Sequence, residues 1–122
     1  MYAIHYYHTH LLVSTMAQQV KITPKCPIRT TLELVGGKWK LLILFQLNAQ
    51  PCRLSQLKKL IPDISEKMLV QELKFLVDSV MVVRTNFGEV PPKVLYTITP
   101  KGKAAMPLIN EMKIFAEVYV SK

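Results

Sequence analysis

Long hydrophobic runs are missing from this chain, although half of its residues are hydrophobic. No run approaches the roughly 18 to 20 apolar residues that a membrane span requires, and residues 11–13 (LLV) are too few for the apolar region of an export signal. Cysteine is scarce as well, because Cys26 and Cys52 cannot form a disulfide framework, which is typical of a reducing compartment. We therefore expect a cytoplasmic protein that does not contact a membrane.

Acidic residues are the next scarcity. The sequence has eight Asp and Glu and sixteen Lys and Arg, which give a formal net charge of +8. Its 122 residues are enough for one domain but not for two. The positive excess favours a polyanionic partner, although a solvated basic surface would explain the charge equally well. Residues 53–103 carry nine positive and five negative side chains, whereas 104–122 carry two of each. The basic partner surface is therefore expected within 53–103.

Patterns typical of an active site are also missing. We find no paired nucleophile and base and no paired carboxylates, and residues 36–38 (GGK) lack the spacing of a phosphate-binding loop. His5, His8 and His10 have no acidic or cysteine neighbour at ligand spacing, so no metal site is predicted. We expect neither an enzyme nor a cofactor. Residues 1–25 show no clear hydrophobic period and are interpreted as an extension that is partly disordered or forms an arm to a partner subunit.

The first half of the remaining chain predicts helices. Pro27 suits the first position of a helix that runs to Val35 and ends at Gly36-Gly37. The next run, WKLLILFQL (39–47), is apolar nearly all round and fits a buried strand or a central helix, and its length of about ten residues favours the helix. Ser55 is predicted to cap a third helix, which Pro62-Asp63 interrupts. The face of that helix toward the core would carry Leu57, Leu60 and Ile61.

A fourth helix is predicted to begin after Ser65, which can cap it. At 100° per residue, one side of this helix is apolar and the opposite side is polar. The apolar side carries Leu69, Leu73, Leu76, Val77 and Val80. The polar side carries Lys67, Gln71, Lys74 and Asp78. Met68 and Phe75 fall on a flank, where they would pack on a partner or stay exposed.

The last third of the chain predicts a hairpin and a final helix. Residues 81–86 and 94–99 are rich in β-branched and aromatic residues and read as two strands joined by a long loop. Thr99-Pro100 resembles an N-cap followed by Pro at the first helical position. The final helix has an apolar stripe that would face its own core or a second subunit. The stripe comprises Ala105, Leu108, Ile109, Met112, Phe115, Ala116 and Tyr119.

The order of helix, turn, helix and hairpin predicts an α+β, mostly helical fold, a winged helix-turn-helix with a two-stranded wing. A helix that reads the major groove needs an apolar face toward its scaffold, long polar side chains toward base edges, and an N-terminus near phosphate. The helix after Ser65 meets these needs, and basic groups near it could neutralise phosphates. A solvated helix face is the alternative. The predicted DNA contacts are Arg53, Ser65, Lys67, Met68, Gln71, Lys74, Arg84, Asn86 and Lys93.

Cys26 is a second candidate functional residue. If Pro27 opens a helix, Cys26 is its N-cap, where the positive end of the helix dipole favours the thiolate, as do Lys25 and Arg29. A thiolate there would react with electrophiles or oxidants, but a small buried residue is an equally good interpretation. For Cys52 the buried, structural interpretation is favoured.

Three segments resemble the HxlR family of bacterial winged helix-turn-helix regulators, within the MarR-like group. They are CPIRTTLELVGGKWKLLIL (26–44), RLSQLKKLIPDISEKMLVQELKFL (53–76) and EVPPKVLYTITPKG (89–102). The resemblance implies a domain over 26–122 with a recognition helix opened by Ser65 and a wing over 82–96. It also implies a homodimer, formed through the N-terminal segment and the last helix, that binds an inverted-repeat operator in double-stranded DNA. Cys26 matches the cysteine with which some members sense small electrophiles or oxidants as inducers.

This sequence departs from the family pattern in two places. The recognition helix of the family usually ends in Asp-Gly-Leu, whereas this chain has Ser79-Val80-Met81. Because a β-branched residue does not easily take the left-handed conformation that Gly allows, we expect a different join to the first wing strand. Phe75 stands where the pattern is usually charged. With that aromatic flank in view, the alternative function is a winged-helix module for protein contacts or for non-specific nucleic-acid binding.

Overall fold

The computed structural model describes residues 21–120. The contacts divide the chain between Leu34 and Val35 into two compact units, which are described separately. Most of the predicted extension (1–25) and the three histidines lie outside the described residues. Within residues 21–120, no helix combines the length and hydropathy that crossing a membrane requires.

The first unit contains most of helix α1, Pro27–Val35. Its start is the predicted one, because the Cys26 carbonyl accepts the Thr30 N–H at 3.0 Å and Pro27 fills the first helical position, where no N–H is needed. Val35, which begins the second unit, is buried. Gly37 follows with φ +93°, a left-handed conformation that favours glycine and confirms the predicted end of the helix.

The second unit is built around α2, Lys40–Ala49, which confirms the helical interpretation of the apolar run. Ile43, Leu44 and Leu47 are fully buried, and α2 packs against the second strand of the wing and the other helices of this unit. The helix is central but not fully covered. Leu42 and Phe45 remain exposed on the described surface, so one side of this apolar helix is left uncovered.

Helix α3, Leu54–Leu60, begins two residues earlier than predicted. Arg53 rather than Ser55 is its N-cap, and the Arg53 N–H donates to Gln56 Oε1 at 2.8 Å. A side chain in the first turn thus satisfies the cap, so that a capping hydroxyl is not needed. Leu57 and Ile61 are buried as predicted, but Leu60 is exposed.

Helix α4, Glu66–Asp78, begins as predicted, because Ser65 Oγ accepts the Met68 N–H at 3.1 Å. Leu69, Leu73 and Leu76 are fully buried and Val77 is half-buried, which confirms most of the predicted core face. Val80 does not belong to it. It lies beyond the end of the helix with 63% of its surface exposed.

The end of α4 overturns the expectation of a different join. Val80 adopts φ +62°, the left-handed conformation that Gly would normally supply. Its N–H bonds to the Val77 carbonyl at 3.0 Å and the Met81 N–H to the Leu76 carbonyl at 2.9 Å, the pair of bonds that ends many helices. The conformation is held from outside, because Thr99 Oγ1 donates to the Val80 carbonyl at 2.7 Å.

Strands β1, Val82–Asn86, and β2, Val94–Ile98, form the predicted antiparallel hairpin, with Val82 opposite Ile98 and Asn86 opposite Val94. Cys52 extends this sheet by one residue. Its N–H donates to the Tyr96 carbonyl at 3.1 Å, and the Tyr96 N–H donates back at 2.8 Å. The segment before α3 is therefore tied directly to the wing.

The predicted final helix is divided in two. Helix α5, Pro100–Lys103, is capped by Thr99 Oγ1, which accepts the Gly102 N–H at 3.1 Å as predicted. Helix α6, Met106–Tyr119, follows after a break at Ala104 and Ala105. Pro107 explains the break, because proline has no N–H for the carbonyl four residues earlier and its ring clashes with it.

Candidate nucleic-acid interface

The polar face of α4 forms an exposed strip of long side chains. Lys67, Gln71 and Lys74 are all exposed, and the leucines on the opposite side of the helix are buried in the core. The scaffold therefore holds α4 while its polar side faces solvent. We call these three residues the reading strip. Their amine and amide groups have the length and chemistry to reach base edges in a major groove.

The two other predicted DNA contacts near the start of α4, Ser65 and Met68, contribute to the structure of the helix. The Ser65 hydroxyl accepts the Met68 N–H as the helix cap, so its oxygen is already engaged. Met68 is half-buried, and Glu66 occupies the first turn. These residues shape the start of the helix, where Lys67 is the first exposed cation.

The wing carries predicted contacts of three different kinds. Arg84 is exposed on β1, opposite Tyr96. Asn86 Oδ1 accepts the Gly88 N–H at 2.9 Å and thereby shapes the turn that leaves β1. Lys93 Nζ lies 3.1 Å from Glu89 Oε2, so this exposed cation has an intramolecular counter-ion that a phosphate would have to displace. Arg84 is consequently the freer cation of this group.

A basic groove lies between the first residues of α3 and α4 and the loop end of the wing. It has a volume of about 590 Å³ and is lined by four cations and one carboxylate, namely Arg53, Lys58, Lys59, Lys93 and Glu66. Arg53 and Lys93 were predicted, but Lys58 and Lys59 were not. The helical spacing of LSQLKKL, which places its lysines on the polar side, was the sequence signal that could have identified these two residues. Lys58 Nζ donates to the Pro62 carbonyl at 2.9 Å, whereas Lys59 is exposed.

The predicted dimerisation stripe separates into two sides of α6. Leu108, Met112, Phe115 and Tyr119 are exposed and line a shallow concavity of about 670 Å³. Ile109 and Ala116 are half-buried and face α2 across another apolar groove, of about 340 Å³. Sequence analysis missed the exposed Ile114 and Val118, which widen the first concavity. No described residue of α6 is buried.

The two cysteines occupy different environments. Cys26 is buried, and its Sγ accepts the Arg29 N–H at 3.3 Å, the geometry of an N-cap. Cys52 is fully buried, and its Sγ donates to the Gln50 carbonyl at 3.4 Å. Burial raises the pKa of the Cys52 thiol, which disfavours the reactive thiolate. The structural interpretation of Cys52 is consistent with this environment.

Helices α3 and α4, the following wing and the basic groove between them define a winged helix-turn-helix DNA-binding protein. Comparison with known proteins gives the family. The HxlR-like helix-turn-helix family matches residues 34–122, and the chain belongs to this family of transcription regulators. The predicted family and fold are therefore confirmed.

Individual relatives agree with this assignment. The HTH-type transcriptional regulator YkvN of Bacillus subtilis is 44% identical over 87 residues, which are 71% of this chain and 74% of YkvN. A crystal structure described as a MarR-family regulator from Porphyromonas gingivalis W83 has a TM-score of 0.79 and 40% identity, over 84% of this chain and 100% of that one. The redox regulator HypR in its oxidized form has a TM-score of 0.73 and 31% identity, over 80% and 100%.

Proposed function

We propose that this transcriptional regulator is a dimer that binds a specific inverted repeat in double-stranded DNA. The observation that carries the proposal is the reading strip. It presents Lys67, Gln71 and Lys74 from a helix whose opposite face is locked in the core. In each half-site α4 would lie in the major groove, and the half-sites would be separated by about one helical turn or a multiple of it.

The basic groove supports the same placement. A phosphate contacted by α4 would lie close to Arg53 and Lys59, and the bridge between Cys52 and Tyr96 keeps this part of the surface attached to the wing. Arg84, Asn86 and Lys93 would then follow the backbone beside the groove. Phosphate contacts of this kind position a protein on DNA, whereas base contacts specify the sequence.

The second function considered, a module for protein contacts or non-specific nucleic-acid binding, depended on an exposed aromatic flank. Phe75 no longer supports it strongly, because the Lys40 ammonium lies over its ring at 4.6 Å from the centroid. This aromatic residue has a partner within the protein, so that an external partner is not needed to explain it.

Selection of binding sites from randomised duplexes tests the proposal. We expect the wild type to enrich one inverted repeat, and a variant with Lys67→Ala and Gln71→Ala to lose that preference while still binding DNA in a salt-dependent manner. Lys103→Ala, which removes an exposed cation from α5, is the matched control and should keep the preference. No enrichment by the wild type, or an unchanged preference in the double variant, would contradict sequence-specific reading.

We further propose that Cys26 senses thiol-reactive compounds. Two observations support the proposal: Cys26 occupies the N-cap of α1, where its Sγ accepts the Arg29 N–H, and the chain is similar to the redox regulator HypR. An electrophile would form a carbon–sulfur bond with Sγ and the thiol would lose its proton. Diamide would take two electrons and two protons from the Cys26 thiols of the two proposed protomers, which leaves a disulfide between them and the hydrazine form of diamide. Because Cys26 is buried, the reaction requires local opening around the start of α1.

A gel-shift titration with the selected duplex tests the sensor. Diamide or an aldehyde should release wild-type protein from the duplex, and Cys26→Ser should abolish this response. Cys52→Ala is the control and should respond like the wild type. If Cys26→Ser and the wild type respond alike, Cys26 is a structural residue and the sensor proposal fails.

A further inference from the structure

A nearly buried ion pair joins α2 to the reading helix. Lys40 is the first residue of α2, and its Nζ lies 2.8 Å from Oε2 of Glu72 on α4. The two side chains keep only 17% and 14% of their surface exposed. Removing one partner of such a pair leaves an uncompensated charge with little water around it. The separation of the two helices at this point is therefore strongly constrained.

Phe75, one turn further along α4, completes the arrangement. The Lys40 ammonium lies over its ring at 4.6 Å from the centroid, a cation–π geometry. Lys40 is thus held by two side chains of the same helix. Glu72 Oε2 is buried and receives no directed hydrogen bond from the described residues, so the nearby Lys40 charge is what compensates it.

This cluster lies directly beside the reading strip. Lys40, Glu72 and Phe75 line a shallow depression of about 260 Å³ together with Gln71, Lys74 and Asp78. Gln71 precedes Glu72, and Lys74 precedes Phe75, so rotation of α4 about its axis moves both pairs together. Lys40 belongs to α2, the helix that also packs against α6. The cluster therefore attaches the strip to the central helix of the unit.

We infer that Lys40 and Glu72 are positioning residues for DNA reading. Their ion pair, with Lys40 also bound to the Phe75 ring, fixes the rotation of α4 and so the direction of Gln71 and Lys74. Neither Lys40 nor Glu72 contacts a base in this arrangement. The inference rests on the proposed DNA-reading function, and it assigns a role to residues outside the reading strip.

Because Glu72 is negatively charged, the inference can be tested by the direction in which DNA affinity changes when this charge is removed. Glu72→Gln removes a negative charge near the DNA, and electrostatics alone would strengthen binding to every duplex. Loss of positioning has the opposite effect on the preferred sequence, because base contacts tolerate displacements of only about 0.5 Å or 10–20°. Asp78→Asn removes the same charge from the same helix without breaking an ion pair, and it is the matched control.

The probes are the duplex that the wild type selects from a random library and a scrambled duplex of the same composition. For Glu72→Gln we expect affinity for the selected duplex to fall about fivefold or more, the lower end of what one good base contact contributes. Affinity for the scrambled duplex should stay equal or rise. Asp78→Asn should raise both together. If Glu72→Gln strengthens binding to both duplexes as Asp78→Asn does, the inference is overturned.

A second measurement does not depend on DNA. Residual dipolar couplings report the orientation of α4 relative to α2, and Glu72→Gln should rotate α4 by about 10° or more with both helices intact. An unchanged orientation overturns the positioning role even if DNA reading stands. A wild type that selects no sequence would refute the proposed function, while the couplings still decide the role of the ion pair. If Glu72→Gln does not fold, the reversed pair Lys40→Glu with Glu72→Lys is compared instead: restored orientation supports the inference, and lost orientation overturns it.

Discussion

Helices α4 and α6 both have an apolar stripe at helical spacing, but the two stripes differ in burial. Leu69, Leu73 and Leu76 of α4 are fully buried within the unit. On α6, by contrast, Phe115 and Tyr119 are 59% and 72% exposed. The stripe of α4 is satisfied by the core of its own chain, whereas most of the stripe of α6 has no cover among the described residues.

This difference separates two functions that periodicity alone cannot separate. A helix whose apolar face is fully buried in its own core presents its polar face in a fixed direction. Reading a DNA groove requires such a fixed direction. A helix that exposes a broad apolar surface is typical of an interface with another chain. The proposed dimer thus places reading on α4 and association on α6, within the same unit of the chain.

Matched leucines test the comparison most severely. Leu73→Ala should lower the free energy of unfolding by about 2–5 kcal/mol, because it removes a fully buried side chain and leaves a cavity. Leu108→Ala, on the exposed side of α6, should cost well under 1 kcal/mol at protein concentrations where the chain is monomeric. Urea unfolding measures both. Equal losses at low concentration would show that the α6 stripe belongs to the core of the monomer.

Phe115 tests whether α6 associates. Phe115→Ala should weaken the dimer by about 2 kcal/mol, roughly a thirtyfold rise in its dissociation constant, since large aromatic side chains often dominate interfaces. Glu117→Ala, on the same helix but outside the apolar concavity, is the control and should leave the constant nearly unchanged. Analytical ultracentrifugation gives both values. An unaffected dimer in Phe115→Ala would place the interface elsewhere.

A variant of Lys59 distinguishes the contribution of the basic groove to DNA binding from that of the reading strip. If this lysine contacts a phosphate, Lys59→Gln should weaken binding to selected and scrambled duplexes alike and reduce the slope of log affinity against log salt by about 0.9 per protomer. Gln71→Ala should instead reduce the preference for the selected duplex, with little change in slope. Fluorescence anisotropy across a salt series measures both quantities. A slope that Lys59→Gln leaves unchanged would remove the groove from the interface.

Local signals in the sequence predicted most elements of the fold. Ser65 caps α4 and Thr99-Pro100 opens α5, because capping depends on residues within one turn. The break before α6 could have been predicted from Pro107, since the missing N–H is a local property. Interpreting 100–119 as one helix gave too much weight to the apolar stripe.

The errors that could not be avoided come from contacts between distant parts of the chain. The ion pair between Lys40 and Glu72 joins residues of two different helices, and no local sequence pattern indicates that these two residues meet. The left-handed Val80 depends in a similar way on Thr99, nineteen positions later. The resemblance to the family predicts the elements, but these contacts form only in the folded chain.

The smallest expected effect is at Val80, in the connection between α4 and the wing. A left-handed conformation costs an L-residue about 1–2 kcal/mol, whereas glycine there costs about 0.5–1 kcal/mol in chain entropy. Because 63% of Val80 is exposed, its replacement loses little apolar burial. Val80→Gly should therefore raise the free energy of unfolding by up to about 1 kcal/mol, or the midpoint by a few degrees.

Val83→Gly is the matched control for this test, because Val83 is also exposed but lies in an ordinary strand. It should lower stability by about 0.5–1 kcal/mol, since glycine weakens a strand. Thermal unfolding of the two variants beside the wild type gives the comparison. If Val80→Gly is as destabilising as Val83→Gly, the left-handed valine carries no strain. In that case the Thr99 hydroxyl, bonded to the Val80 carbonyl, holds a conformation that costs the chain nothing.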